Sequence, residues 1–222
     1  MKFNQIPAVL GVATAAVVST IAMPEQATAA TFQLASGVTS VFLDLPTLES
    51  VGLQLTGATD VVDPVSSDFL VGFTITPATT FTFTTDGGFA PVSGTIEHTG
   101  SVTFNSALTV GNFSIGFDPV RAVGAASGFF VRDTITTGAI LFDVAAPSSL
   151  SFSDQTLKLD LVADLLVSSE LAGVLGNPGL AGAEVGAASI NGTAVPEPTT
   201  MLGALAAGGF LAARRRLAKK GS

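Results

Sequence analysis

Across residues 79–85 the chain alternates: Phe81 and Phe83 share one face, and Thr80, Thr82 and Thr84 the other. A period of two predicts a strand with one side in a core and the other in water. Asp86-Gly87-Gly88 directly after it supplies a turn. Similar runs recur at 41–45, 69–75, 95–104, 129–131, 140–144 and 150–152. Phe113, Ile115 and Phe117 alternate with Ser114 and Gly116, and Leu157, Leu159 and Leu161 with Lys158 and Asp160. Thr, Val and Phe dominate these runs, and such residues suit a pleated, half-buried surface. Strands at this density, divided by Gly, Pro, Asp and Ser, predict an all-β fold: an antiparallel β-sandwich or barrel-like domain. Helix is expected only within 165–175, for one or two turns. A final strand is expected in the Gly- and Ala-rich stretch that follows.

Both ends of the chain break the pattern. Lys2 precedes an apolar stretch, 6–21, interrupted only by small Thr14, Ser19 and Thr20, and Ala27-Thr28-Ala29 has the small-x-small form of a cleavage site. This order predicts a secretory signal helix cut after Ala29, with Ala30 the near alternative. At the other end, 201–213 is thirteen residues without a charge, followed by Arg214-Arg215-Arg216 and Lys219-Lys220. As a helix this apolar run reaches ~20 Å, short of the ~30 Å hydrocarbon core of a bilayer. Basic flanks stay on the cytoplasmic side, which puts the body on the far side. The expected organisation is a signal peptide at 1–29, an exported β domain at 30–190, a spacer with a Pro-Glu-Pro motif at 191–200, and a short membrane helix with a basic tail at 201–222.

Pro196-Glu197-Pro198, the apolar run after it and Arg214, Arg215 and Arg216 stand in that order near the C-terminus. Together they resemble the PEP-CTERM sorting signal of bacterial surface proteins, and Val195 and Thr199-Thr200 are similar to its cyanobacterial form. The resemblance covers residues 195–217. It implies passage through the secretion translocon, a transient membrane anchor, and processing by a membrane protease-transpeptidase, exosortase. It also implies delivery to the cell surface or to an extracellular matrix containing exopolysaccharide. It implies nothing about 31–194.

Composition narrows the middle of the chain. Residues 31–195 hold fifteen acids and only Arg121, Arg132 and Lys158 as bases, a net charge of −12 against −8 for the whole chain. Such a surface repels nucleic acid, whose binding needs Lys and Arg to displace counterions, and so no nucleic-acid partner is expected. With no Cys, the exported domain lacks disulfides, catalytic thiols and thiolate metal sites. Tyr and Trp are absent too, while Phe occurs sixteen times. That removes the usual residues for stacking on sugars or anchoring an interface.

Candidate chemistry is sparse. His98 is the only histidine, and alternation from Thr95 puts it on the apolar face with Ile96, Val102 and Phe104. That placement suits a packed strand residue better than a catalytic base, and one imidazole does not make a zinc site. Asp60, Asp63 and Asp68 gather around Pro64, and Asp86 sits in a Gly turn. Calcium takes six to eight oxygens, but these spacings follow no calcium loop and read as solvated turn acids. Gly94-Thr95-Ile96 and Gly100-Ser101-Val102-Thr103-Phe104 resemble the opening of bacterial haem-acquisition domains, which ligate iron through a Tyr that this chain lacks. The expectation is therefore a non-enzymatic structural or interaction protein of the surface or matrix, without a cofactor. The alternative is a ligand-binding surface module for calcium or a hydrophobic small molecule such as haem. A binding module should bring the acids, or His98 and other polar groups, together in a concave pocket. A structural protein should leave them scattered on turns.

Overall fold

The computed structural model describes residues 30–197. The antiparallel all-β expectation holds, and the form is a barrel. The chain first lays down β1 (Thr31–Leu43), the six-residue helix α1 (Leu45–Ser50), β2 (Leu55–Thr59), β3 (Val71–Ile75), β4 (Thr82–Thr84) and β5 (Ala90–Ser93). It continues through β6 (Ile96–Thr99), β7 (Ser101–Phe104), β8 (Leu108–Gly111), β9 (Ser114–Phe117), β10 (Ala126–Arg132) and β11 (Ile140–Ala145). It ends with β12 (Ser149–Ser153), β13 (Lys158–Val167), α2 (Ser169–Val174) and β14 (Glu184–Pro196).

Eight strands close a ring in the order β1-β14-β13-β11-β10-β9-β6-β3. Two long strands change partners halfway. The upper part of β1, 37–41, pairs with β3, while its start, 31–33, pairs with β4. Likewise the end of β13 pairs with β11 and its start with β12. The ring is therefore closed at one pole and splays at the other, where β4, β5 and β12 extend the wall. Barrel closure removes sheet edges; here only the splayed flaps and a small second sheet, β2-β7-β8, retain them.

The strand interiors follow the sequence pattern where parity is uninterrupted. Leu159, Leu161, Ala163 and Leu165 of β13 all point inward and are at most 9 % exposed. In β1 the parity changes. Phe32 and Leu34 are buried, the register slips between Leu34 and Ser36, and Thr39 and Leu43 are then buried instead. A bulge of this kind inserts one unpaired residue and bends the strand. Gly37 follows it with φ +148, where a Cβ would stand 2.3 Å from the Asn191 carbonyl oxygen. Phenylalanines fill the splayed pole: Phe83 stacks with Phe32 at 5.8 Å, and meets Phe152 and Phe89 at 5.1 Å.

Three expectations need correction. The run at 95–104 is two strands: Gly100, at φ +108, turns the chain out of the barrel, so that β6 and β7 lie in different sheets. Helix is expected only within 165–175, and α2 lies there, but α1 is a second helix, beginning at Leu45 where the first expected strand, 41–45, was to end. Residues 191–196 are not a spacer. They are the last part of β14: 191–193 lie between β1 and β13, and 194–196 go on pairing with β1, with Phe32 opposite Pro196. Beyond them the Glu197 N–H donates to the Thr31 carbonyl at 2.9 Å. The chain therefore enters and leaves the barrel at the same pole.

Candidate functional site

The closed pole of the barrel holds an apolar cavity of about 90 Å³. The strands supply its walls through Phe73, Val131, Leu165 and Ala188, while α1, α2 and the small sheet roof it through Leu48, Leu171 and Phe104. Ile115, Val131, Leu165 and Ala188 also line a second space of about 40 Å³ toward the splayed pole. These four side chains thus form a layer across the barrel. Eight-stranded barrels have interiors just wide enough to be filled by side chains or to hold one small ligand.

Only two lining residues are polar, and they touch. His98 Nε2 lies 2.7 Å from the Thr39 hydroxyl, and His98 Nδ1 lies 2.8 Å from the Phe113 carbonyl oxygen. A carbonyl only accepts, so Nδ1 carries the ring hydrogen and the neutral Nε2 accepts from Thr39. Both residues are 4 % exposed. Burial holds the imidazole below its ordinary 6.5, outweighing the Phe113 carbonyl, Glu97 and the Ile96 backbone, which favour the cation. A hydroxyl bonded to an imidazole is a nucleophile–base geometry. Here the third position is a backbone carbonyl, and the pair faces hydrocarbon. His98 is on the apolar face, as the alternation placed it, with Ile96, Val102 and Phe104 also buried. Its partner Thr39 has no signature in the sequence, because the bulge in β1 is what turns that side chain inward.

Two polar clusters brace this pole. Asp133, fully buried, accepts at Oδ1 from the Gly111 and Ile135 N–H groups, at 2.9 and 3.0 Å. At Oδ2 it accepts from the Thr136 and Thr137 N–H groups and the Thr137 hydroxyl, at 3.1, 2.6 and 2.8 Å. Burial alone would raise its pKa, but these donors more than offset it and hold the carboxyl below its ordinary value. With both oxygens occupied by donors, this carboxylate ties the end of β8 to the loop before β11. Near α2, Arg121 gives Nε to Asp143 at 2.7 Å, and Nη1 and Nη2 to Glu170 at 2.7 and 3.0 Å. Those bonds drop the Glu170 pKa to about 2, with Arg121 the largest cause. Ser168 caps the same helix, accepting from the Leu171 N–H at 2.9 Å and donating to the Ile140 carbonyl at 2.7 Å.

The acids singled out in the sequence do not converge. Asp60, Asp63 and Asp68 are exposed on the loop between β2 and β3, and Asp86 is exposed in its turn. Among the described residues no three acidic or histidine side chains are placed to hold a metal ion. A porphyrin is far larger than the cavity, and His98 has both nitrogens committed. Pro196 and Glu197 stand at the foot of β14, whereas Pro198, Arg214, Arg215 and Arg216, together with Ala27 and Ala29 of the signal segment, lie outside the described residues. No family model matches the chain, and no curated protein matches it.

Proposed function

We propose that this chain is an exported surface or extracellular-matrix protein, with its β-barrel as a structural or interaction module and its tail as a sorting signal of the PEP-CTERM kind. One observation carries the reading: Pro196-Glu197-Pro198, an uncharged run too short to span a bilayer well and a basic cluster stand in that order near the C-terminus. The barrel supports it. Thr31 and Glu197 are hydrogen-bonded neighbours, so the signal segment and the tail leave from one pole and can be held at one membrane face without the chain crossing the domain. The scatter of the acids and the burial of His98 favour a non-enzymatic role.

The test replaces Pro196, Glu197 and Pro198 with Ala in the producing cell. The variant should fold as a barrel, since Ala serves as well as Pro at the end of β14, yet remain in the membrane with its basic tail. Release or surface delivery at the unaltered level would falsify the sorting role.

A further inference from the structure

We infer that the outer edge of β12 is an interaction surface whose partner is the same edge of a second copy of this chain, the two strands running antiparallel about a two-fold axis at Ser151. Among the described residues the sheets end at β5, β12, β2 and β8. Three of these edges are guarded. β5 carries Pro91 and is offset from β4 by a bulge, and β2 has a bulge after Leu55. The loop 133–137 covers β8, where the Thr134 N–H donates to the Gly111 carbonyl at 3.1 Å and the Thr136 hydroxyl to the Thr109 carbonyl at 2.5 Å. Prolines, bulges and covering loops are the devices that keep sheet edges from pairing. β12, Ser-Leu-Ser-Phe-Ser, has no proline and no charge, and its register against β13 is unbroken. Its other side pairs with nothing among the described residues, and Ser149, Leu150 and Ser151 are exposed.

The backbone directions suit a second copy. The Val162 carbonyl accepts from the Ser148 N–H, and the Leu157 carbonyl accepts on the opposite side from the Ala194 N–H. Backbone direction alternates along a strand, so Lys158, Asp160 and Val162 turn toward β12, and their register partners Ser153, Ser151 and Ser149 turn back toward them. Leu150 and Phe152 therefore aim their N–H and C=O groups outward, symmetrically about Ser151. A two-fold axis there sets Leu150 of each copy opposite Phe152 of the other, with both bonds of each pair available, and serine opposite serine. Charge permits the approach. Between the axis and each body the first acid met across the sheet is Asp160, opposite Ser151. Two such residues stand three strand spacings apart, ~14 Å, beyond the ~8 Å Debye length of physiological salt. A five-residue contact is small beside the roughly 20–30 residues a side of a stable interface. The dimer is therefore weak, and forms where the chain is concentrated.

The chain has no Cys, so one thiol can be placed at a time in the full chain, held in nonionic detergent and mildly oxidised. In the dimer, Ser151→Cys sets two thiols on a non-hydrogen-bonded pair, with Cα atoms ~4.5 Å apart, inside the range of a disulfide. Ser149→Cys sets them four residues out of step, ~14 Å apart. Ser151→Cys should give at least about tenfold more linked dimer than Ser149→Cys. Equal linkage at both positions would mean chance collision and would overturn the proposal. Absence of linkage at Ser151→Cys would overturn it too, whether β12 then pairs with β5 of another copy, with another part of its own chain, or with nothing. Leu150→Pro removes an outward N–H that β13 does not use, and in the Ser151→Cys chain should cut linkage by a similar factor; undiminished linkage in a folded variant refutes the pairing. If that variant does not fold, the two cysteine positions and salt decide. Sedimentation of the unaltered chain should show a dimer about threefold or more weaker at 0.01 M salt than at 0.15 M. A dimer dispersed by salt would rest on ion pairs that this edge lacks, and would contradict the assignment. None of these readouts depends on export or on sorting.

Discussion

His98 and Thr39 are 59 residues apart in sequence and 2.7 Å apart in the barrel. Burial of that imidazole makes stability depend on pH. The folded state holds the imidazole neutral, below its ordinary 6.5, while the unfolded chain takes up a proton near that value. The unfolded state therefore binds more protons below pH 6.5, and stability falls with falling pH. The contribution is complete above 6.5 and is lost as pH drops toward the lowered native value. Between pH 6.5 and 5, above the carboxylate range, urea unfolding should show stability sloping downward as pH falls. His98→Leu should flatten that slope, and a variant with an unchanged slope would contradict the assignment. The burial of His98 followed from its parity with Ile96 and Val102. Its partner did not, because nothing in the sequence marks the one-residue slip after Leu34 that rotates Thr39 inward. Asp133 was equally silent: a lone Asp before Thr134 reads as a turn residue until the fold brings Gly111 to it.

Among the elements, strands with unbroken alternation were legible and those broken by a corner or a bulge were not. β13 could be read from Leu157, Leu159 and Leu161. β1 could be read only over its last residues, since its bulge exchanges inward and outward positions. The run at 95–104 keeps its alternation through Gly100, so hydrophobicity alone does not report that the chain leaves one sheet for another. The backbone does: Gly100 takes φ +108, and a Cβ there would approach the Asp60 carbonyl oxygen to 2.7 Å. Both costs fall on any other residue. Gly100→Val should therefore destabilise the barrel by about 2 kcal/mol or more in urea unfolding. Gly87→Val tests the cost of φ alone, since a Cβ at that turn meets nothing within 4 Å, and its loss should be the smaller of the two. Equal losses would show that the approach to Asp60 is not what fixes the corner. α1 illustrates the opposite error: the run 41–45 reads as a strand to its end, yet Asp44 accepts from the Thr47 N–H at 3.2 Å and Pro46 stands in the first turn of a short helix.

At the scale of the molecule, β14 is the stave that closes the ring, and it reaches to the edge of the Pro-Glu-Pro motif. The sequence suggested a spacer there because Asn191, Gly192 and Thr193 are polar or small. Yet Gly192 lies flat against β1, where a Cβ would meet Leu34 Cδ1 at 2.5 Å. A chain ending at 190 loses pairing on two strands at once. A protein of this size is stable by only about 5–15 kcal/mol. Residues 30–197 should thus unfold in one cooperative thermal transition and 30–190 in none; a cooperative transition in the shorter chain would contradict the barrel closure. The same closure places the start of β1 and the end of β14 together, so the processing proposed for each end would meet the same pole. The central claim, an exported barrel handled at both ends, is tested most directly by the intact mass of the protein recovered from outside the producing cell. The expected species begins at Ala30 and has lost Arg214, Arg215 and Arg216 with the rest of the basic tail. Recovery there of a chain with the mass of the uncut sequence, from Met1 to Ser222, would contradict it.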